Sequence, residues 1–129
     1  MFLAFLGRPN AEYCTWIINP QHWGGEIELT VLSQYYRRQI AVYDIQTTNC
    51  YVYGSEFGFL ERVMLVYDGI HYDALAKSPY LDAPEELDLT IFKAFSAEGK
   101  LIAESAANLV SRLLEGGHEG VIFVGQEIQ

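Results

Sequence analysis

The sequence predicts a mixed α/β chain, a small sheet flanked by helices. Three observations carry that expectation. Residues 40–45 form a short run of β-branched and aromatic side chains, the composition of a strand. Val63-Met64-Leu65-Val66-Tyr67 is almost continuously apolar, as in a central strand buried on both faces. Residues 100–114 place Ile102, Ala106, Leu109, Val110 and Leu113 on one stripe of an amphipathic helix. Strands and helices interleaved along the chain place it in the α/β or α+β class.

The remaining elements follow in order. Asn10 is a good helix cap, and residues 11–18 read as a short helix stopped by Asn19-Pro20. Trp23-Gly24-Gly25 is a turn. Residues 26–36 read as a second helix, with Leu29, Leu32 and Tyr36 on one face and Glu26 and Glu28 in the first turn, where the helix dipole favours acids. Residues 50–53 read as a short strand and residues 54–60, with two glycines, as a loop. Asp68-Gly69 signals a turn, after which residues 71–76 pair back as a strand. Residues 78–87, with Pro79 and Pro84, are the one candidate internal boundary. Residues 89–92 make a further short strand, Gly116-Gly117 ends the last helix, and residues 121–124 are a short apolar segment with no evident partner.

Length and composition bound the function. At 129 residues, half of them hydrophobic, the chain has the size of one domain and enough apolar mass for a core. No apolar run approaches the ~20 residues that span a bilayer. Residues 1–6 are apolar, but Gly7-Arg8-Pro9 ends the run before it reaches the length of a secretory signal core. These features, with only Cys14 and Cys50 as thiols, predict a soluble cytoplasmic protein without a disulfide framework. Eight basic against seventeen acidic side chains give a net charge of −9, which repels phosphate backbones; nucleic acid and anionic membrane are excluded as partners. A partner with a basic face is steered in. Arg37-Arg38 reads as a solvated helix end, and the acidic stretch of residues 82–88 as a solvated loop.

The candidate chemistry lies in Asp68-Gly69-Ile70-His71-Tyr72-Asp73. His71 follows a buried strand and a tight turn, a place where catalytic groups are often carried. In extended chain, residues two apart share a face, which sets Asp73 beside His71. A carboxylate there holds the imidazole tautomer and steadies an imidazolium, as in a nucleophilic triad; a structural or surface histidine is the alternative. The pair needs a nucleophile, and no Gly-x-Ser-x-Gly elbow is present. Cys14, inside an apolar pattern, reads as a buried small hydrophobe. Cys50 lacks the electropositive setting that lowers a thiol pKa. Metal binding has no support, since His22, His71 and His118 are far apart and no Cys-x-x-Cys or His-x-x-x-His spacing occurs. Trp23 reads as a packing residue and His22 as a surface one.

Four segments together resemble a known family. Glu12-Tyr13-Cys14-x-Trp16-Ile17, then Trp23-Gly24-Gly25-x-Ile27-Glu28-Leu29 with Leu32-Ser33, then Ile40-x-Val42-x-Asp44-x-Gln46-Thr47, then Arg62-Val63-x-Leu65-x-Tyr67 running into the His71 segment resemble the ovarian-tumour (OTU) deubiquitinating cysteine proteases. The branch acting with the valosin-containing AAA ATPase in endoplasmic-reticulum-associated degradation is nearest, in its plant type, through Arg62-Val63-Met64-Leu65 and His71-Tyr72-Asp73-Ala74-Leu75-Ala76. The likeness runs from about residue 6 to residue 92.

The resemblance implies an OTU-type fold, and hydrolysis of ubiquitin from lysine side chains by a thiol nucleophile without a cofactor or metal. It assigns His71 as general base and Asp73 as the acid that orients it. Ile70 and Tyr72 flank the bound ubiquitin tail, and ubiquitin or polyubiquitin is the partner. In the full-length family the valosin-containing ATPase is a further partner. The family's Asp-x-x-Cys-Leu-Phe nucleophile motif does not occur in this sequence, and no cysteine follows Cys50 to build the branch's zinc finger. Residues 1–92 are therefore expected to be the C-terminal part of an OTU domain, its N-terminal part missing, and residues 93–129 a helix and tail. The expected protein has no nucleophile and no activity alone. A non-catalytic ubiquitin-binding module and a non-functional truncated product are the alternatives.

Overall fold

A computed structural model describes residues 10–116 and 122–123. Among the described residues, three helices, α1 (Asn10–Ile17), α2 (Glu26–Tyr36) and α3 (Ala97–Gly116), accompany strands β1 (Gln39–Asp44), β2 (Cys50–Tyr53), β3 (Glu61–Tyr67), β4 (Tyr72–Ala76), β5 (Phe92–Lys93) and β6 (Ile122–Phe123). Ser55–Phe57 and Glu85–Leu87 are single 3-10 turns. The strand order is β2-β1-β3-β4-β6, and β5 pairs with β3. β1 and β3 run parallel, Val42 opposite Leu65 and Tyr43 opposite Val66. β4 turns back antiparallel on β3, Val66 opposite Asp73 and Tyr67 opposite Tyr72.

The expected elements form nearly where the patterns put them, and the expected small sheet flanked by helices is what the chain builds. The apolar segment at the end does have a partner, since β6 pairs in parallel with Leu75 and Ala76. Leu89 bridges Lys77 instead of extending β5. His118 and the apolar residues 1–6 lie outside the described residues.

Alternation along the strands sorts the side chains onto two faces. On one, Ala41, Tyr43, Met64, Val66, Leu75 and Phe92 meet Ile102, Ala106 and Val110 of α3 in a closed core. On the other, Leu29 of α2 covers Ile40 and Val42, with Tyr53, Val63, Leu65 and Tyr67 half-buried beside them. The expected burial of β3 on both faces is therefore half correct. Met64 is 2% exposed, but the α2 face is only half closed, because α2 brings few buried side chains to it.

Two close approaches fix the helices to the sheet. Ser33 of α2 is fully buried, its hydroxyl 2.7 Å from the Arg38 carbonyl and 3.2 Å from that of Tyr53. Gly54 (φ +84°) makes room for it, since a Cβ there would collide with the Ser33 hydroxyl. At Gly99 a Cβ would strike the Lys93 carbonyl, so α3 passes β5 only because residue 99 has no side chain.

Candidate active site

The site is built on the turn between β3 and β4. One carboxylate oxygen of Asp68 accepts the backbone N–H groups of Ile70 (2.8 Å) and His71 (2.7 Å). This side-chain-closed turn is stabilised further by Gly69, whose φ of +104° suits only a glycine. The Tyr67 hydroxyl donates to the Gly69 carbonyl at 2.8 Å, and the Gln46 amide reaches the Asp68 carbonyl at 3.4 Å. Accepting two N–H groups favours the charged form, which holds the Asp68 carboxyl below its usual range.

The turn delivers Ile70, His71 and Tyr72 to one open cleft of about 360 Å³ between the Trp23-Gly24-Gly25 turn, α2 and β3. The His71 ring meets Trp23 edge-on, with centroids 5.6 Å apart. Tyr72 stacks on Tyr67 at 4.4 Å. Burial, and then the neighbouring Tyr67, Glu26 and Glu28, raise the Tyr72 hydroxyl above its ordinary pKa, so it stays a neutral donor near pH 7. Glu28 accepts the Gly25 N–H at 2.5 Å with one oxygen, which fixes the start of α2, and its other oxygen is buried without a partner.

Asp73 is not in this cleft. It pairs with Val66, so its side chain belongs to the α3 face, and it lines a separate cavity of about 250 Å³ with Glu85, Asp88 and Thr90. No hydrogen bond joins it to His71. The period-two expectation starts one residue too early: β4 begins at Tyr72, and Asp68 turns the backbone of His71 before the alternation sets in. Asp68 is the acid that holds the His71 segment in this arrangement. The aspartate that opens the Asp-Gly-x-His turn was the available signal for it.

Neither thiol reaches the cleft. Cys14 is exposed, not buried as expected; it lines an apolar groove between α1 and α2 with Tyr13, Ile17, Ile27 and Val31. Cys50 opens β2 opposite Tyr43. Tyr43 faces Val66, and Val66 faces Asp73. At ~4.8 Å per strand, Cys50 is therefore roughly 14 Å from β4. Partial burial pushes its thiol up, against the opposing hydrogen bond of Tyr43 and charge of Arg62, so it is a poor thiolate at neutral pH. Trp23, expected to be a packing residue, is 66% exposed on the cleft rim and packs there against His71. His22, expected on the surface, is half-buried and stacks on Trp16 at 4.2 Å. Among the described residues no group of three or more His, Cys, Asp and Glu side chains is placed to hold a metal ion.

A family model of OTU-like cysteine proteases matches residues 1–74. This chain belongs to the OTU-like cysteine protease family. Over 89 residues it is 60% identical to the ovarian tumor domain-containing deubiquitinating enzyme 2 of Arabidopsis thaliana, covering 69% of this chain and 43% of that protein. It is 51% identical, over 89 residues, to ubiquitin thioesterase OTU1 of Dictyostelium discoideum, covering 69% of this chain and 27% of that one. The chain thus spans less than half the length of these curated relatives. The fold is similar to a solved OTU domain in complex with ubiquitin, with a TM-score of 0.70 and 26% identity over 92% of this chain and 63% of that one. Within the OTU family, then, this chain holds a histidine in an open cleft and no thiol beside it.

Proposed function

We propose that this OTU chain receives the C-terminal tail of ubiquitin in the His71 cleft and does not hydrolyse it alone. The observation that carries this reading is the convergence of Ile70, His71 and Tyr72 on one open cleft in a fold similar to an OTU domain bound to ubiquitin. Residues 1–92 then act as the histidine-bearing part of an OTU domain, with α3 completing the core. An imidazole so placed is a general base, but a base accelerates only a nucleophile within reach. Cys50 is across the sheet, and Cys14 lies in the α1–α2 groove. In a complete site His71 takes the thiol proton. Asp73 serves as its orienting acid only if the turn closed by Asp68 rearranges. The cytoplasm as site of action, and the valosin-containing AAA ATPase as a partner of the full-length relatives, belong to the same reading.

The test pairs two measurements on the folded chain. Ubiquitin added to the isotope-labelled protein should shift the amides of Ile70, His71 and Tyr72 and the Trp23 indole; no shift at high micromolar concentration sinks the binding. Ubiquitin with a thiol-reactive C-terminal warhead should leave the intact mass unchanged. An adduct lost in Cys14→Ser or Cys50→Ser, or di-ubiquitin turnover lost in His71→Ala, would overturn the inactivity.

A further inference from the structure

At the opposite end of the sheet from the His71 cleft, where β3 begins, a groove of about 710 Å³ opens between the Ser55–Phe57 turn and β5. Leu60 and Phe95 line it and are 75% and 66% exposed. Its charged rim is Arg37, Lys93 and Glu61. Glu61 is paired with Arg38 at 3.1 Å, so Arg37 and Lys93 leave the rim positive. In a chain of net charge −9 this is a local reversal of sign.

The complementary chemistry leaves the same end of the fold. β4 runs antiparallel to β3, so the segment after β4 emerges where β3 begins, and β5 returns beside Glu61 and Arg62. That segment exposes Leu81, Asp82, Glu85, Glu86 and Leu87. It lines no wall of the groove of its own chain.

We propose that this end of the fold is a self-association surface, on which residues 81–87 of one copy seat in the basic, aromatic groove of a second copy. Arg37 and Lys93 face Glu85 and Glu86, and the two leucines pack on Leu60 and Phe95. The segment leaves β4 at the end where the groove opens, and Glu85 lies back along β4 beside Ala74 and Ala76; with both surfaces on each copy, a two-fold axis lets the two copies make the same contact, the closed arrangement most homo-oligomers adopt. Two copies of charge −9 repel at long range. At 0.1 M salt the Debye length of about 10 Å screens that repulsion, while opposite charges in contact still attract. Association is therefore weaker at very low salt and again at molar salt than at 0.1 M.

Sedimentation equilibrium of the 129-residue chain at 0.1 M salt tests this. The expected result is a concentration-dependent dimer, its dissociation constant raised about tenfold or more by Arg37→Glu with Lys93→Glu, and equally by Glu85→Lys with Glu86→Lys. An equimolar mixture of the two double variants should recover the dimer, since every reversed charge then faces its opposite. The mixture also separates loss of the contact from misfolding of either variant. A monomer at all concentrations, a dimer indifferent to both variants, or a mixture that stays monomeric would each overturn the proposal.

Discussion

On one face of the sheet α3 lays Ile102, Ala106 and Val110 against Ala41, Met64, Val66 and Leu75, all of them buried. On the other, α2 covers the strands with Leu29 alone among its apolar side chains, and leaves Leu65, Tyr67 and Tyr72 half-covered around His71. The same strands supply both faces by alternation, so the difference comes from the helices. A 20-residue helix with an unbroken apolar stripe closes its face; an 11-residue helix whose Val31, Leu32, Tyr35 and Tyr36 stay exposed leaves a cleft, with Leu32 on its wall. Buried apolar packing is concentrated on the α3 side, and the candidate His71 is on the α2 side, where the cleft is open.

The sharpest way to break this contrast is to empty each face in turn. Met64→Ala on the closed face should cost about 2–5 kcal/mol in urea unfolding, because a cavity remains in a core that cannot collapse around it. Leu65→Ala, one residue on but facing the cleft, should cost about half as much or less, since solvent already reaches it. Equal costs would mean that the α2 face is closed in solution. Next comes the tie between α2 and β2. Ser33→Ala leaves the Arg38 and Tyr53 carbonyls without their shared donor and should lower stability by about 1–2 kcal/mol. A smaller loss would show that water enters there.

The smaller effects fall in the cleft. His71→Ala should change stability by less than about 0.5 kcal/mol, while reducing the shifts that ubiquitin induces at Ile70 and Tyr72. A large destabilisation would make His71 a structural residue. Asp68 should give the smallest effect, and a purely local one. Its carboxyl is held below its ordinary value of 3.8 in the folded chain, so its hold on the turn is complete above that value and disappears as pH falls through the lower, folded one. Acid titration followed at the Ile70 and His71 amides should show this loss, and Asp68→Asn should remove the titration. Amides that titrate with Asp73 instead would return that residue to the site.

Much of the fold was legible because periodicity reports burial. The stripe Ile102, Ala106, Val110 and the run from Val63 to Tyr67 announce their elements with no tertiary information, and Glu26, at the first turn of α2, marks where that helix starts. The site was legible in part. The residue types and the motif order place His71, Ile70 and Tyr72 at one turn, and the turn does deliver them to one cleft. The partner acid was not legible, because a shift of one residue in where β4 begins moves a side chain to the other face of the sheet. Asp68 sets that boundary by accepting two backbone N–H groups, a choice that competes with strand pairing and is decided only when both are present.

By itself, then, the sequence determined the element types, the acidic charge, which residues the turn before β4 carries and the lack of a thiol motif, since each of these is a property of local composition or spacing. Only the tertiary structure decided which face each side chain serves. It set Asp73 on the α3 side, Cys50 across three neighbouring strands and Trp23 over His71. Those placements depend on strand register and on how far each helix covers the sheet, and both are fixed by contacts between residues far apart in the chain.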